Sequence, residues 1–97
     1  MHVYETVFAV SATLGEDERQ QSIKSVEETI STLGGAISTS EEMGEKKLAY
    51  KVDGHDRAYY HVIKFSCPPS AIDELKKHYR IHSSYLRNIV VSEQISV

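Results

Sequence analysis

A single cysteine, Cys67, excludes an internal disulfide. There is no long uncharged apolar run and no basic-then-apolar leader, so neither a membrane span nor secretion is expected and a cytoplasmic setting follows. Basic charge is scarce as well. The 11 Lys and Arg against 14 Asp and Glu give a formal net charge of -3, which excludes a protein that coats nucleic acid by bulk electrostatics. Internal repeats, low-complexity tracts and interdomain linkers are all missing, and 97 residues suffice for one domain, residues 1–97, with one modest core. What charge there is falls unevenly: two basic and nine acidic residues up to Glu45, then nine basic and five acidic from Lys46 onward. The second half is the candidate anion-facing side.

Two periodicities run along the chain. From Val3 to Val10, β-branched and aromatic residues alternate, with Tyr4, Phe8 and Val10 on one face and Val3, Glu5 and Val7 on the other, as in a central strand. Glu16-Asp17-Glu18 suits a helix start, and Ile23, Val26, Ile30 and Leu33 form a one-faced stripe that Gly34 ends. A strand from Ala36 to Val52 reaches the turn signal Asp53-Gly54-His55-Asp56 and returns as Ala58 to Cys67, where Pro68-Pro69 stops it. Ser70 and Asp73 have capping-box-like spacing, Ile72, Leu75 and Tyr79 form a second helical stripe, and Leu86 to Val91 is the last strand. The order β-α-β-β-α-β predicts an α+β, ferredoxin-like sandwich: a four-stranded antiparallel sheet with both helices on one face. The uncovered face receives Tyr60, Val62 and Lys64, while Ile63, Phe65 and Cys67 turn to the helices. In the last strand, an outward Arg87 also exposes Ile89 and Val91 and turns Asn88 inward, which leaves its sidedness open.

The hydrophobic phase changes inside the long second strand. Ile37, Thr39 and Met43 share one parity and Leu48, Tyr50 and Val52 the other, so both halves face one core only if an extra residue is inserted. Gly44 is the natural place for that bulge, because glycine tolerates the positive φ it can demand. Lys46 and Lys47 follow at once. Held on ordered backbone they could meet phosphates, or they could be a solvated edge that blocks aggregation; spacing alone leaves both open.

The other chemistry is sparse. His78 and His82 stand at i, i+4, but no cysteine pair or adjacent glutamate completes a ligand set, so no metal and no cofactor is expected and dialysed protein should carry no stoichiometric zinc. Cys67 reads as a small core hydrophobe rather than a nucleophile. Glu41 and Glu42 point to opposite strand faces and cannot converge as an acid and base pair. Tyr4 and Tyr50 could stack on a base or fill the core, and Tyr4 has core parity.

Residues Glu41 to Tyr50, Glu-Glu-Met-Gly-x-Lys-Lys-Leu-Ala-Tyr, resemble the central motif of the family of the sixth protein of the bacterial small ribosomal subunit. Val3 to Phe8, Gly34-Gly35, Ile72 to Leu75 with Arg80-Ile81, and Leu86 to Val91 fall in that family's order, so the resemblance spans nearly the whole chain. It implies a structural, non-catalytic constituent of the small subunit, with no small-molecule substrate and no membrane. Such a protein binds the central domain of 16S rRNA as a heterodimer with the eighteenth small-subunit protein. It also implies RNA contacts at Lys46, Lys47 and Arg87, to which Lys51, His2 and Tyr50 are added as candidates. Two departures bear on this. His2-Val3 stands where many members are basic, and Lys51 stands where the Leu-Ala-Tyr motif usually continues with proline. A ferredoxin-like small-molecule-binding regulatory domain is the alternative, yet it would need glycine-rich loops at helix starts. An acylphosphatase-like hydrolase would need an arginine near the loop after the first strand, which reads Ser11-Ala12-Thr13-Leu14-Gly15.

Overall fold

The computed structural model describes residues 2–52 and 54–92, in the order β1 (His2–Ser11), α1 (Glu16–Thr32), β2 (Ala36–Val52), β3 (His55–Cys67), α2 (Ala71–Ile81) and β4 (Tyr85–Ser92). The strands form one antiparallel sheet in the order β2-β3-β1-β4, with both helices on one face, which is the ferredoxin-like architecture expected from the sequence. Alternation along β1 turns Tyr4, Thr6, Phe8 and Val10 to the helices, where they meet Ile23, Val26 and Ile30 of α1 and Leu75 and Tyr79 of α2. Thr6 is polar and fully buried, and a donor chain satisfies it. The Tyr79 hydroxyl donates to Thr6 Oγ1 at 2.8 Å, and Thr6 donates to the Ile89 carbonyl at 3.0 Å, tying α2, β1 and β4 together. Burial pushes the Tyr79 phenol pKa up, which keeps it a donor.

The helix ends have local causes. At the C-terminus of α1, Gly34 adopts φ +85 while its N–H bonds the Ser31 carbonyl and the Gly35 N–H bonds the Ile30 carbonyl, a Schellman closure. The N-terminus of α2 departs from the capping-box expectation. Ser70 makes no side-chain cap, and the Ala71 and Ile72 amides bond the Pro68 and Pro69 carbonyls instead, because Ser70 already has helical φ and ψ. In the hairpin, β3 begins at His55 rather than Ala58, with Val52 opposite His55.

The bulge near Gly44 is present, and it is not alone. The ladder steps from Glu42 opposite His61 to Gly44 opposite Tyr60, leaving Met43 as an extra residue and Gly44 at φ +86. An earlier step, from Ile37 opposite Phe65 to Thr39 opposite Lys64, makes Ser38 extra too. Two inserted residues cancel in parity, so the apolar halves of β2 do not share a core. Ile37 packs against the helix-side core, whereas Leu48 is buried on the opposite face against Ala9 and Ala58. The sidedness of β4 is settled as well: Arg87, Ile89 and Val91 lie opposite Ala9, Val7 and Glu5 on the open face, with Asn88 and Val90 toward the helices.

Two outcomes are expected. Gly44→Val should cost about 1–2 kcal/mol in urea unfolding, through the positive φ alone, since no heavy atom lies within 4 Å of the added Cβ. The second concerns His61, which is buried against Phe8, bonds Ser40 Oγ through Nε2 at 2.7 Å and leaves Nδ1 without a partner among the described residues. Burial lowers its pKa, partly opposed by Glu27 and Glu42. The unfolded chain therefore takes up this proton more readily than the folded one. Stability should be full above about pH 6.5 and decline as pH falls toward the folded-state pKa. His61→Leu should lose less stability than the parent between about pH 7 and pH 5, and an equal loss would contradict the assignment.

Candidate nucleic-acid interface

Beyond Ala58, which lies opposite Ser11 at the end of β1, the β2-β3 hairpin has outrun the sheet centre. Its ladder jumps from Lys47 opposite Arg57 to Val52 opposite His55, so residues 48–51 face one residue on β3. This surplus forms an arm over the end of the open face. Leu48, 5 % exposed, seats on Ala9 and Ala58, with Val52, Tyr60 and Leu86 against them, and His55 Nδ1 lies 3.1 Å from Ser11 Oγ. A further bulge, between Ala9 and Val10 on the β1 side, makes Leu86 the extra residue of β4 and brings it into the same cluster.

The arm carries Tyr50 to β4. Arg87 donates a hydrogen bond from Nη2 to the Tyr50 hydroxyl, and its guanidinium carbon lies 5.0 Å from the Tyr50 ring centroid. Lys46 projects from the same face, opposite Ala58, and Lys51, exposed, follows Tyr50 on the unpaired stretch 48–51, where no register fixes its face. Among the described residues, none of Lys46, Lys51 and Arg87 makes an ion pair, whereas Arg19 is bound to Glu42 at 3.2 Å and Arg57 to Glu45. The Arg57 hydrogen bond, the largest cause, holds the Glu45 carboxyl below its usual range. Lys24 on α1, Lys47 on β2 and Lys76, Lys77 and Arg80 on α2 likewise make no ion pair among the described residues, so the arm shares its unneutralised charge with α2.

Two candidates fall outside this group. Lys47 is opposite Arg57, on the other side of the edge strand from Lys46, because neighbours on a strand alternate. His2 is opposite Cys67 at the far end of β1, nine residues from Ser11 and so roughly 30 Å from the Lys46 row at the usual rise per residue. Tyr4 is buried against Phe65, as its parity required. The sequence pointed to neither Leu48 nor Leu86 as the anchors of this site; the Leu-Ala-Tyr string carried Leu48 only as an apolar position.

An apolar strip adjoins the cationic end. Glu41, Val62, Val7 and Ile89 form one row across the open face and Gly44, Tyr60, Ala9 and Arg87 the next. Val7, Tyr60, Arg87 and Ile89 line a groove of about 300 Å³ between β1 and β4. Val3, Ile89 and Val91 are 42 %, 55 % and 44 % exposed on this face, with the Glu5 and Lys64 row lying between Val3 and Val7.

The remaining reactive side chains are engaged elsewhere. Cys67 is buried and its thiol is pushed up by burial, away from the thiolate that a nucleophile needs. His82 donates from Nδ1 to the His78 carbonyl at 2.7 Å, and His78 Nε2 sits 3.2 Å from both the Ser25 and Tyr85 hydroxyls. Among the described residues no three of His, Cys, Asp and Glu converge on a metal-sized space.

The family model described as Ribosomal protein S6 matches residues 3–92. The small ribosomal subunit protein bS6 of Sulfurimonas denitrificans is 40% identical over 91 residues, covering 94% of this chain and 66% of its own length. The corresponding protein of Protochlamydia amoebophila is 34% identical over 90 residues, covering 93% of this chain and 79% of its own length. The crystal structure of the 30S ribosomal protein S6 of Thermotoga maritima superposes with a TM-score of 0.91 at 28% identity, covering 95% of this chain and 87% of that one. The chain thus spans just under two thirds of the Sulfurimonas relative's length. With the motif, the topology and the whole-chain match in agreement, the chain belongs to the ribosomal protein S6 family.

Proposed function

We propose that this chain is a non-catalytic structural constituent of the bacterial small ribosomal subunit, acting in the cytoplasm on the ribosome. It binds the central domain of 16S rRNA as a heterodimer with the eighteenth small-subunit protein. The observation that carries the RNA reading is the Arg87–Tyr50 contact, which brings the β4 arginine onto the arm that also bears Lys46, both cations making no ion pair among the described residues. Phosphate contacts act through counterion release, and cations already bound to carboxylates contribute little to it. Lys47 adds charge from the other side of the same edge. His2, at the opposite end of β1, can belong only to a separate contact.

Three or four cations on a chain of net charge -3 leave little sequence-independent affinity, so the partner has to supply the rest. The exposed apolar residues Ile89 and Val91, on the same strand face as Arg87, are the surface that suits a protein partner. A partner seated there would bring its own cations beside Arg87.

Replacing Lys46, Lys47 and Arg87 together by glutamate should weaken binding of the heterodimer to a central-domain rRNA fragment by at least about 2 kcal/mol and flatten its salt dependence. Filter binding across a salt series reads both, with circular dichroism as the folding control. Unchanged affinity and slope in a folded triple variant would move the RNA surface elsewhere.

A further inference from the structure

Tyr50 is 62 % exposed, and an exposed aromatic next to lysines invites the role of a base-stacking platform. Its surroundings say otherwise. Its hydroxyl already accepts the Arg87 guanidinium, whose carbon lies 5.0 Å from the ring centroid. Both partners are anchored by one apolar cluster: Leu48 and Val52 flank Tyr50 at two residues on either side, and Leu86 immediately precedes Arg87. The contact is thus fixed from both backbones, across the whole width between an edge strand and its opposite edge.

We infer that Tyr50 is a positioning residue that acts on RNA through Arg87, fixing the guanidinium at the rim of the open face. A carboxylate in its place would hold the arginine equally well but would cancel its charge. A neutral hydroxyl and a ring face hold it without neutralising it, and one accepted hydrogen bond leaves the other guanidinium donors free for a bidentate phosphate contact. An unrestrained arginine would lose rotamer freedom on meeting the phosphate, and the Tyr50 contact has already removed much of it. This rests on the reading that Arg87 lies on the RNA surface.

A double-mutant cycle separates holding from stacking. Binding of the full chain, with its eighteenth-protein partner, to a central-domain rRNA fragment is measured for Tyr50→Leu, Tyr50→Phe, Arg87→Gln and the double variant Tyr50→Leu/Arg87→Gln. Tyr50→Leu should weaken binding about tenfold in the parent and less than about twofold when Arg87 is already glutamine. Tyr50→Phe, which keeps the ring and loses the acceptor, should fall between. Each variant should unfold as the parent does, since both side chains are exposed. Equal losses in the two backgrounds would mean that Tyr50 touches RNA itself and would overturn the inference, as would no loss in the parent. Lys46→Glu, run alongside, tells the failures apart. If it weakens binding while the Tyr50 effect is additive, only the positioning role fails; if neither it nor Arg87→Gln has an effect, the RNA surface fails with it.

Discussion

A strand has a side-chain period of two, and everything distinctive in this molecule follows from where β2 and β4 depart from it. Each extra residue turns the following side chains to the other face. Ser38 and Met43 are the first two in β2, residues 48–51 the larger surplus, and Leu86 the one in β4. The first pair restores parity and delivers Lys46 and Leu48 to the open face. The later surplus gives the hairpin enough chain to cross the sheet end. Leu48 then does for the arm what Phe8 does for the helices: it removes apolar area from water against small residues, Ala9 and Ala58, that leave room for it.

Charge follows the same geometry. The acidic half of the chain lies in α1 and the proximal part of β2, where Glu42 takes up Arg19 and Glu45 takes up Arg57. The arm and β4 present cations that no carboxylate of the described residues neutralises. A formal total of -3 therefore coexists with a local positive end, and its field reaches about a Debye length at physiological salt. Ile89 and Val91, exposed on the same strand as Arg87, are the apolar area proposed to be buried by a partner.

Much of this was legible in the sequence. The faces of β1, the stripe and glycine stop of α1, and the helix-side parity of Ile63, Phe65 and Cys67 rest on strong periodicity and came through unchanged. So did the disruption near Gly44. The bulge at Ser38 was missed because Thr39 was read in phase with Ile37, whereas the extra residue turns it to the open face opposite Lys64; a threonine between two serines is too weakly apolar to mark the change. The arm was invisible for another reason: Leu48, Ala9 and Leu86 are far apart in sequence, and only the β2-β3-β1-β4 order brings them together. The same order separates His2 from the lysines, a distance that motif order cannot express. The sidedness of β4 depended on Leu86 being extra, which lets Tyr85 face the helices while Arg87 faces out.

On the function proposed above, the arm and β4 together make one RNA-facing end. Amide shift mapping by nuclear magnetic resonance tests it most directly, with the labelled chain in its heterodimer titrated with a central-domain rRNA fragment. Changes should concentrate in residues 46–51 and 86–88, with the outer surfaces of α1 and α2 unmoved. Changes confined to the helices, with the arm silent, would contradict it.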